Sequence, residues 1–126
     1  MAEGGSAQDG NAARENPIAD IRRDDGRIVV SLAGELDLYN AHEVRDALLQ
    51  CCAESPERLV VDLSGVTFID STALGVLIEA RSKMANRRAF VLAAPGLETR
   101  RALEISGLDR HFTVLESLEQ ARTAPV

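Results

Sequence analysis

The sequence predicts an α/β fold, in which a small mixed β-sheet made of an N-terminal hairpin and parallel strands has helices packed on it. Apolar runs of strand length alternate with stretches of helical periodicity from Ile18 onward, as is typical of a sheet with crossover helices. Asp24-Asp25-Gly26 joins the first two extended runs, and an Asp-Gly turn favours an antiparallel hairpin. A chain of 126 residues has room for one domain with one core.

The predicted domain covers residues 18–122. Residues 1–17 are rich in Gly, Ala, Ser, Asn, Gln and Asp and show no apolar periodicity. We expect them to form a disordered tail, because such a segment buries too little apolar surface to offset the entropy of ordering it. Residues 123–126 are expected to form a short C-terminal tail.

The first half of the domain is expected to contain the hairpin and one helix. The hairpin strands are IADIRR, which starts at Ile18, and RIVVSLAG, which ends at Gly34. After GELDLY, the stretch NAHEVRDALLQCCAE repeats apolar residues at helical spacing, and Asn40 with Glu43 has the spacing of a capping box. An amphipathic helix is therefore predicted directly after Asn40.

The second half is expected to alternate parallel strands with helices. The LVVDL run, Leu59 to Leu63, predicts a central strand that Ser64-Gly65 would end. The loop over residues 64–71 would then lie at the carboxyl end of a parallel strand, where such folds usually place function. A helix is predicted from about Thr72 to Asn86, starting at or just after Asp70-Ser71. The elements predicted downstream are AFVLAAP as a strand, Leu97 to Ser106 as a helix capped by Gly107, FTVL as a short strand, and a last helix from Ser117 to about Arg122 with Ser117 and Gln120 in capping-box spacing.

The charge and composition disfavour nucleic acid as a direct partner. The formal net charge is -6, 3% of the residues are aromatic and Trp is absent. Neither the electrostatic field nor the stacking surface that binds nucleic acid is therefore expected. The pairs Arg87-Arg88 and Arg100-Arg101 are interpreted as solvated surface charges.

Cysteine usage and the N-terminal composition indicate a cytoplasmic protein. Cys51 and Cys52 are adjacent in a helical segment, so their side chains point in different directions and make a poor disulfide. No C-x-x-C spacing or Cys/His cluster is present to hold a metal. The N-terminus lacks the apolar segment of a signal peptide, and no apolar run is long enough to span a bilayer. We therefore expect a reducing cytosol and no contact with a membrane.

The stretch FIDSTALGVLIEA, Phe68 to Ala80, places an acid and two hydroxyls where a strand passes into a helix. From the residues alone, Ser71 is most simply a helix cap, because a serine oxygen there can accept a hydrogen bond from the first turn. The alternative is a phosphorylation site, since a helix N-terminus tolerates an added anion. Asp62, in the LVVDL strand, is interpreted as a strand-end residue.

Three blocks of the sequence together resemble the STAS domain family, and specifically its bacterial anti-sigma factor antagonists. The blocks are GELD at residues 34–37, LVVDLSGVTFIDSTALGV at 59–76 and ISGLDRHF at 105–112. Their order matches that of the family, and the resemblance covers about Ile18 to Leu118. It implies a single STAS-like domain with no cofactor and no enzymatic activity of its own.

The resemblance also implies a partner-switching cycle and the residues that carry it out. The unphosphorylated protein would bind an anti-sigma factor, which is a serine kinase, and so free the sigma factor. Phosphorylation of Ser71 by that kinase would abolish binding, and a serine phosphatase would reset the protein. Asp37 and Asp70 match the acids that the family places at this site, and the partner surface is expected to include Thr72, Leu74 and Gly75.

Two small residues of this stretch, Ala73 and Gly75, bear on how a partner would bind. Ala73 stands where many members of the family have Gly, which bears on how closely the backbone of a partner can approach. Gly75 has two interpretations, namely access for a partner or a close contact between helix and sheet.

The sequence also bears on functions other than the switch. A hydrolase triad of Ser71, His42 or His111, and Asp37 is disfavoured, because the G-x-S-x-G motif is absent and nothing in the spacing places either histidine beside the serine. The alternative function is a STAS scaffold or ligand-binding module in a signalling or transport complex, without reversible phosphorylation. A nucleotide-binding sensor is a third possibility.

Overall fold

The computed structural model describes residues 16–125. The prediction of a disordered tail over residues 1–17 falls mostly outside the described residues, as does the last position of the C-terminal tail. The strands are β1 (Ile18–Asp24), β2 (Arg27–Leu36), β3 (Arg58–Ile69), β4 (Phe90–Ala93) and β5 (Thr113–Leu115). The helices are α1 (Ala41–Ala53), α2 (Ser71–Ser82), α3 (Leu97–Ser106) and α4 (Leu118–Thr123), with 3-10 turns at Arg87–Ala89 and Leu108–Arg110.

The strands form one mixed sheet in the order β1-β2-β3-β4-β5. β1 and β2 are antiparallel, and each of the following neighbours is parallel. Asp25 and Gly26 both take positive φ, of 51° and 79°, as the two central residues of a type I′ hairpin turn require. The predicted hairpin and the predicted parallel strands are therefore confirmed.

The helices cover the two faces of the sheet unequally. The main core joins buried residues of α1, α2 and α3 to one face of the sheet, with Val44, Leu48, Leu77 and Leu103 among them. A smaller cluster lies on the other face, where Ala121 of α4 meets strand residues. α1 and α2 each connect two parallel strands, and both pack on the same face of the sheet. The two helices therefore begin at the same end of the strands.

The predicted break at Ser64-Gly65 is wrong, since β3 continues to Ile69. The pairing of β2 with β3 shifts register twice along this stretch. A Cβ on Gly65 would stand 3.0 Å from the carbonyl oxygen of Leu32, so glycine permits the close approach of the strands at the irregularity. Val66 and Ile69 remain buried beyond it. The glycine thus marks a bulge in one long strand, and the expected loop contracts to the junction at Asp70.

The helix boundaries agree with the sequence predictions at most ends. α2 begins at Ser71 as expected but ends at Ser82, four residues before the predicted end at Asn86. The side chain of Asn86 instead accepts a hydrogen bond from the Arg88 amide and starts the 3-10 turn that leads into β4. Gly107 ends α3 in the left-handed conformation with φ of 79°, as predicted.

The capping box predicted for the last helix forms in part. The Ser117 hydroxyl accepts from the Gln120 amide at 3.1 Å, but the Gln120 side chain accepts from Glu116 rather than from the amide of Ser117.

Within residues 16–125, no helix has the length and apolar character needed to cross a bilayer.

We expect both thiols of the native protein to react slowly with Ellman's reagent and to react fully after unfolding in guanidinium chloride. Cys51 and Cys52 are free and buried, with 1% and 7% of their surface exposed. Burial raises the pKa of each thiol, and Cys52 donates a hydrogen bond to the Ala80 carbonyl. Since the thiolate is the reactive form, both effects slow the reaction. Rapid labelling of folded protein would show that α1 opens readily.

Candidate functional site

The candidate site lies where β2 and β3 end side by side. Leu36 pairs with Ile69 as the last pair of the parallel ladder. The two chain segments that leave these strands, residues 37–40 and Asp70-Ser71, are therefore neighbours. This edge holds the carboxyl ends of the parallel strands, where open α/β sheets place their sites.

The carboxylate of Asp70 joins the two segments. Its Oδ1 accepts a hydrogen bond from the Ala73 amide at 3.0 Å, which makes Asp70 the N-cap of α2. Its Oδ2 accepts from the Leu38 amide, also at 3.0 Å. The Asp70 amide itself donates to the Leu36 carbonyl. One side chain thus satisfies a helix N-terminus and holds the neighbouring loop against it.

Ser71 is the first residue of α2 and is exposed. The interpretation of Ser71 as the helix cap is wrong, because Asp70 provides that hydrogen bond. Among the described residues, no side chain or backbone group forms a hydrogen bond with the Ser71 hydroxyl. The first turn of α2 carries no acidic residue. The serine hydroxyl is therefore presented to solvent at the positive end of a helix dipole.

Residues 37–40 form a tight loop held by their own side chains. Asp37 Oδ1 accepts from the Tyr39 amide at 3.0 Å. Asn40 Oδ1 accepts from the Asp37 amide at 2.9 Å, and Asn40 Nδ2 donates to the Glu35 carbonyl at 2.7 Å. Asn40 is the N-cap residue of α1, yet its side chain makes no cap hydrogen bond. The predicted capping box with Glu43 is therefore wrong, since Asn40 folds the loop that precedes the helix.

The first turns of α2 separate into an outer and an inner side. Thr72 and Gly75 are exposed, and an added Cβ at Gly75 would meet no atom within 4 Å. The interpretation of Gly75 as a close contact between helix and sheet is therefore wrong. Leu74 is only 7% exposed and belongs to the core. Ala73 is 1% exposed, so its methyl group points inward and does not hinder an approaching partner.

Exposed apolar side chains lie on the three segments that meet at Ser71, namely the loop at residues 37–40, the end of β3 and α2, and the sequence patterns did not single them out. They are Leu38, Tyr39, Phe68 and Ile78, with exposures of 65%, 76%, 47% and 38%. Leu38 and Tyr39 could have been found as apolar residues in a polar loop after GELD. Phe68 could have been found from the longer reach of β3, in which it alternates with buried Ile69. Clusters of exposed apolar residues are typical of binding surfaces.

The structure shows where the two histidines that were considered for a triad with Ser71 lie. His111 lies at the other end of α2, where its Nε2 is 3.4 Å from a guanidinium nitrogen of Arg81. His42 is exposed on α1, and within residues 16–125 no hydrogen bond joins either histidine to the Ser71 hydroxyl. No group of three His, Cys, Asp or Glu side chains within residues 16–125 could hold a metal ion. Asp62, interpreted as a strand-end residue, is buried inside β3, where Ser31 donates to it at 3.3 Å.

Comparisons with known proteins match most of the chain to one family. The model of the STAS domain family matches residues 18–121. The anti-sigma-F factor antagonist RsfB of Mycobacterium tuberculosis is 36% identical over 98 residues, which are 78% of this chain and 80% of that protein. The anti-sigma-B factor antagonist of Bacillus subtilis is 34% identical over 95 residues, covering 74% of this chain and 85% of the relative.

A solved structure extends the similarity to three dimensions. The crystal structure of an anti-sigma factor antagonist from Mycobacterium paratuberculosis matches with a TM-score of 0.77 and 36% identity, covering 82% of this chain and 89% of that one. The sequence blocks, the sheet order and these matches agree, and the chain belongs to the STAS domain family.

Proposed function

We propose that this protein is an anti-sigma factor antagonist that works by partner switching. The unphosphorylated form binds an anti-sigma factor with serine kinase activity, and this binding frees the sigma factor. The kinase transfers a phosphoryl group from ATP to Ser71, the modified protein is released, and a serine phosphatase restores it. The names of the 36% and 34% identical relatives support the general role.

The observation that carries the proposal is that Asp70, and not Ser71, makes the structural hydrogen bonds at the start of α2. Asp70 caps the helix and ties down the neighbouring loop. Ser71 is therefore free of a structural task, and its exposed hydroxyl is available as a phosphoryl acceptor. A serine that capped the helix would have its oxygen engaged by an amide of the first turn, and would be less accessible to a kinase. Here phosphorylation leaves the cap in place.

A phosphate on Ser71 would change the partner surface without unfolding the domain. It adds about -1.5 to -2 charges at a helix N-terminus, which favours an anion. The same charge lies directly beside the Asp70 carboxylate and close to the exposed side chains of Leu38 and Tyr39. A partner that covers these apolar groups would have to desolvate the phosphate as well. Binding is then lost through charge and bulk at the interface.

The surface around Ser71 suits a protein partner. Leu38, Tyr39 and Phe68 supply apolar area, and Thr72 and Gly75 lie on the outer side of the same helix as Ser71. The hydrogen bonds of Asp37, Asn40 and Asp70 fix the loop before a partner arrives. A preformed surface reduces the entropy lost on binding. Asp37 and Asp70 contribute to recognition through the shape and the negative potential of this loop.

Incubation with ATP and the cognate anti-sigma factor should place a single phosphate on Ser71. The measurement is intact-mass spectrometry followed by fragmentation of the tryptic peptide 59–81, because this peptide also contains Ser64, Thr67 and Thr72. Ser71→Ala should abolish the modification, whereas Thr72→Ala, the matched control at the adjacent exposed hydroxyl, should retain it. A protein that binds the kinase but never gains a phosphate would instead be a STAS scaffold.

Phosphorylation should weaken binding to the anti-sigma factor by on the order of 100-fold, because a partner that covers Ser71 must desolvate the phosphate at a cost of several kcal/mol, and each 1.4 kcal/mol corresponds to tenfold. Isothermal titration calorimetry of the phosphorylated and unphosphorylated forms measures the ratio. Thermal unfolding of both forms provides the control, and their midpoints should agree within a few degrees. Equal affinities of the two forms would refute the switch.

Gly75→Ala should raise the stability of the domain while lowering its affinity for the anti-sigma factor. Alanine stabilises an exposed helix position by about 1 kcal/mol relative to glycine, and the added methyl group has open space around it. The methyl group would stand between the partner and the helix backbone. Chemical denaturation and calorimetry measure the two effects on one sample. Because the variant is expected to be more stable, a loss of affinity could not be attributed to unfolding. Unchanged affinity would exclude Gly75 from the interface.

A further inference from the structure

The cations of the described chain divide into a paired and an unpaired set. Arg100 and Arg101 bind Glu116 and Glu98, in line with their interpretation as surface charges. Other arginines pair likewise with carboxylates, namely Arg22 with Asp20, Arg23 with Glu54, Arg45 with Glu79 and Arg122 with Asp24. Within residues 16–125, no carboxylate lies in ion-pair distance of Arg27, Arg81, Lys83, Arg87, Arg88 or Arg110, nor of Arg58, which donates instead to the carbonyls of Ala121 and Ala124.

Five of the unpaired cations lie on the chain segments before β4 and β5, at one corner of the fold that we call the basic corner (Arg81, Lys83, Arg87, Arg88 and Arg110). Arg81 lies in the last turn of α2, and its guanidinium is 3.4 Å from His111 Nε2, beside Arg110. Arg88 and Arg110 each stand two residues before a phenylalanine. Those rings, of Phe90 and Phe112, have centroids 6.0 Å apart. The corner lies where the parallel strands begin, at the opposite end of α2 from Ser71.

The acids near this corner form no ion pair with it within residues 16–125. Glu79 is bound through both oxygens by Arg45, at 2.8 and 2.9 Å. Its pKa is lowered mainly by Arg45 and in smaller part by Lys83. Asp109, in the 3-10 turn beside Arg110, makes no ion pair with the corner in the described part of the chain. The guanidinium groups of Arg87, Arg88 and Arg110 therefore retain their donors for an external acceptor.

An exposed aliphatic side chain lies on the chain segment that leads to Arg110. Ile105 is 83% exposed in the last turn of α3. Gly107 then turns the chain into the 3-10 turn that carries Arg110. A large aliphatic group beside unpaired arginines provides both an apolar contact and charge-assisted hydrogen bonds.

We propose that the basic corner is a second protein-binding surface, which takes an acidic peptide segment of a partner with apolar residues among its carboxylates. In a chain of net charge -6, a short segment meets only the local positive field, because charges beyond about 8 Å are screened at physiological ionic strength. A nucleic acid duplex extends past the corner and meets the acidic remainder of the surface. A membrane requires more inserted apolar area than Ile105 offers.

The test is fluorescence anisotropy with a labelled peptide of Asp and Glu residues interspersed with Leu, compared with the same peptide carrying Asn and Gln. The full chain should bind the acidic peptide at least tenfold more tightly, with an affinity that falls as salt rises. Arg88→Glu and Arg110→Glu should each weaken binding by roughly tenfold, which corresponds to the loss of about one charge-assisted contact.

Arg22→Glu is the matched control, because it makes the same change in net charge at a side chain that is 75% exposed on β1. It should leave the affinity unchanged, and Arg88→Gln should give an intermediate loss. Equal binding of the acidic and neutral peptides, or an equal effect of Arg22→Glu, would overturn the proposal. Tighter binding of duplex DNA or of phosphatidylserine vesicles than of the peptide, lost in the same variants, would overturn it in favour of that polyanion.

Discussion

The carboxylate of Asp70 is the group on which the arrangement of the site depends. One oxygen completes the first turn of α2 and the other holds the amide of Leu38. If this carboxylate made only the helix contact, the loop at residues 37–40 would lose its tie to α2. Because both bonds form, the exposed Leu38 and Tyr39 have a fixed position relative to Ser71. The chemistry available to Ser71 therefore follows from the residue before it.

The strands bring Asp70 to this position through an imperfect ladder. β2 and β3 remain paired from Arg27 with Arg58 to Leu36 with Ile69, although their register shifts twice on the way. A perfect ladder would rotate the side chains of the final residues differently relative to the core. The close approach at Gly65 absorbs one irregularity, and Val66 and Ile69 still reach the core beyond it. Strand length and bulge together set where the helix begins.

Periodicity predicted the elements and their order well, because buried side chains in strands and helices repeat with fixed spacing. The hairpin turn at Asp25-Gly26 and the helix end at Gly107 were predicted because positive φ favours such residues there. The roles of polar side chains were not predicted reliably. Ser71 and Asp70 are both good caps by type, and Asn40 has the spacing of a capping box. Which hydrogen bond each makes depends on tertiary neighbours such as Leu38 and Glu35.

Likewise, the sequence does not reveal which charges are neutralised. Arg87-Arg88 and Arg100-Arg101 are alike as dipeptides, but among the residues that the structure describes only the second pair has carboxylates within ion-pair distance. Glu116 comes to Arg100 from the segment after β5, which no local pattern specifies. The burial of Asp62 inside β3 was not predicted either, because the strand was expected to end one residue after it.

The helix α2 links the two surfaces and also separates them. It begins at Ser71 and ends near Arg81 and Lys83 after 12 residues, a length of about 18 Å at 1.5 Å per residue. This exceeds the screening distance of about 8 Å at physiological ionic strength. A phosphate on Ser71 therefore adds little to the electrostatic potential at the basic corner. Because Asp70 still caps α2 after phosphorylation, we expect no change of fold to reach that corner. Binding at the two ends of the helix is expected to be thermodynamically independent, so a partner held at the basic corner would remain bound through each phosphorylation cycle.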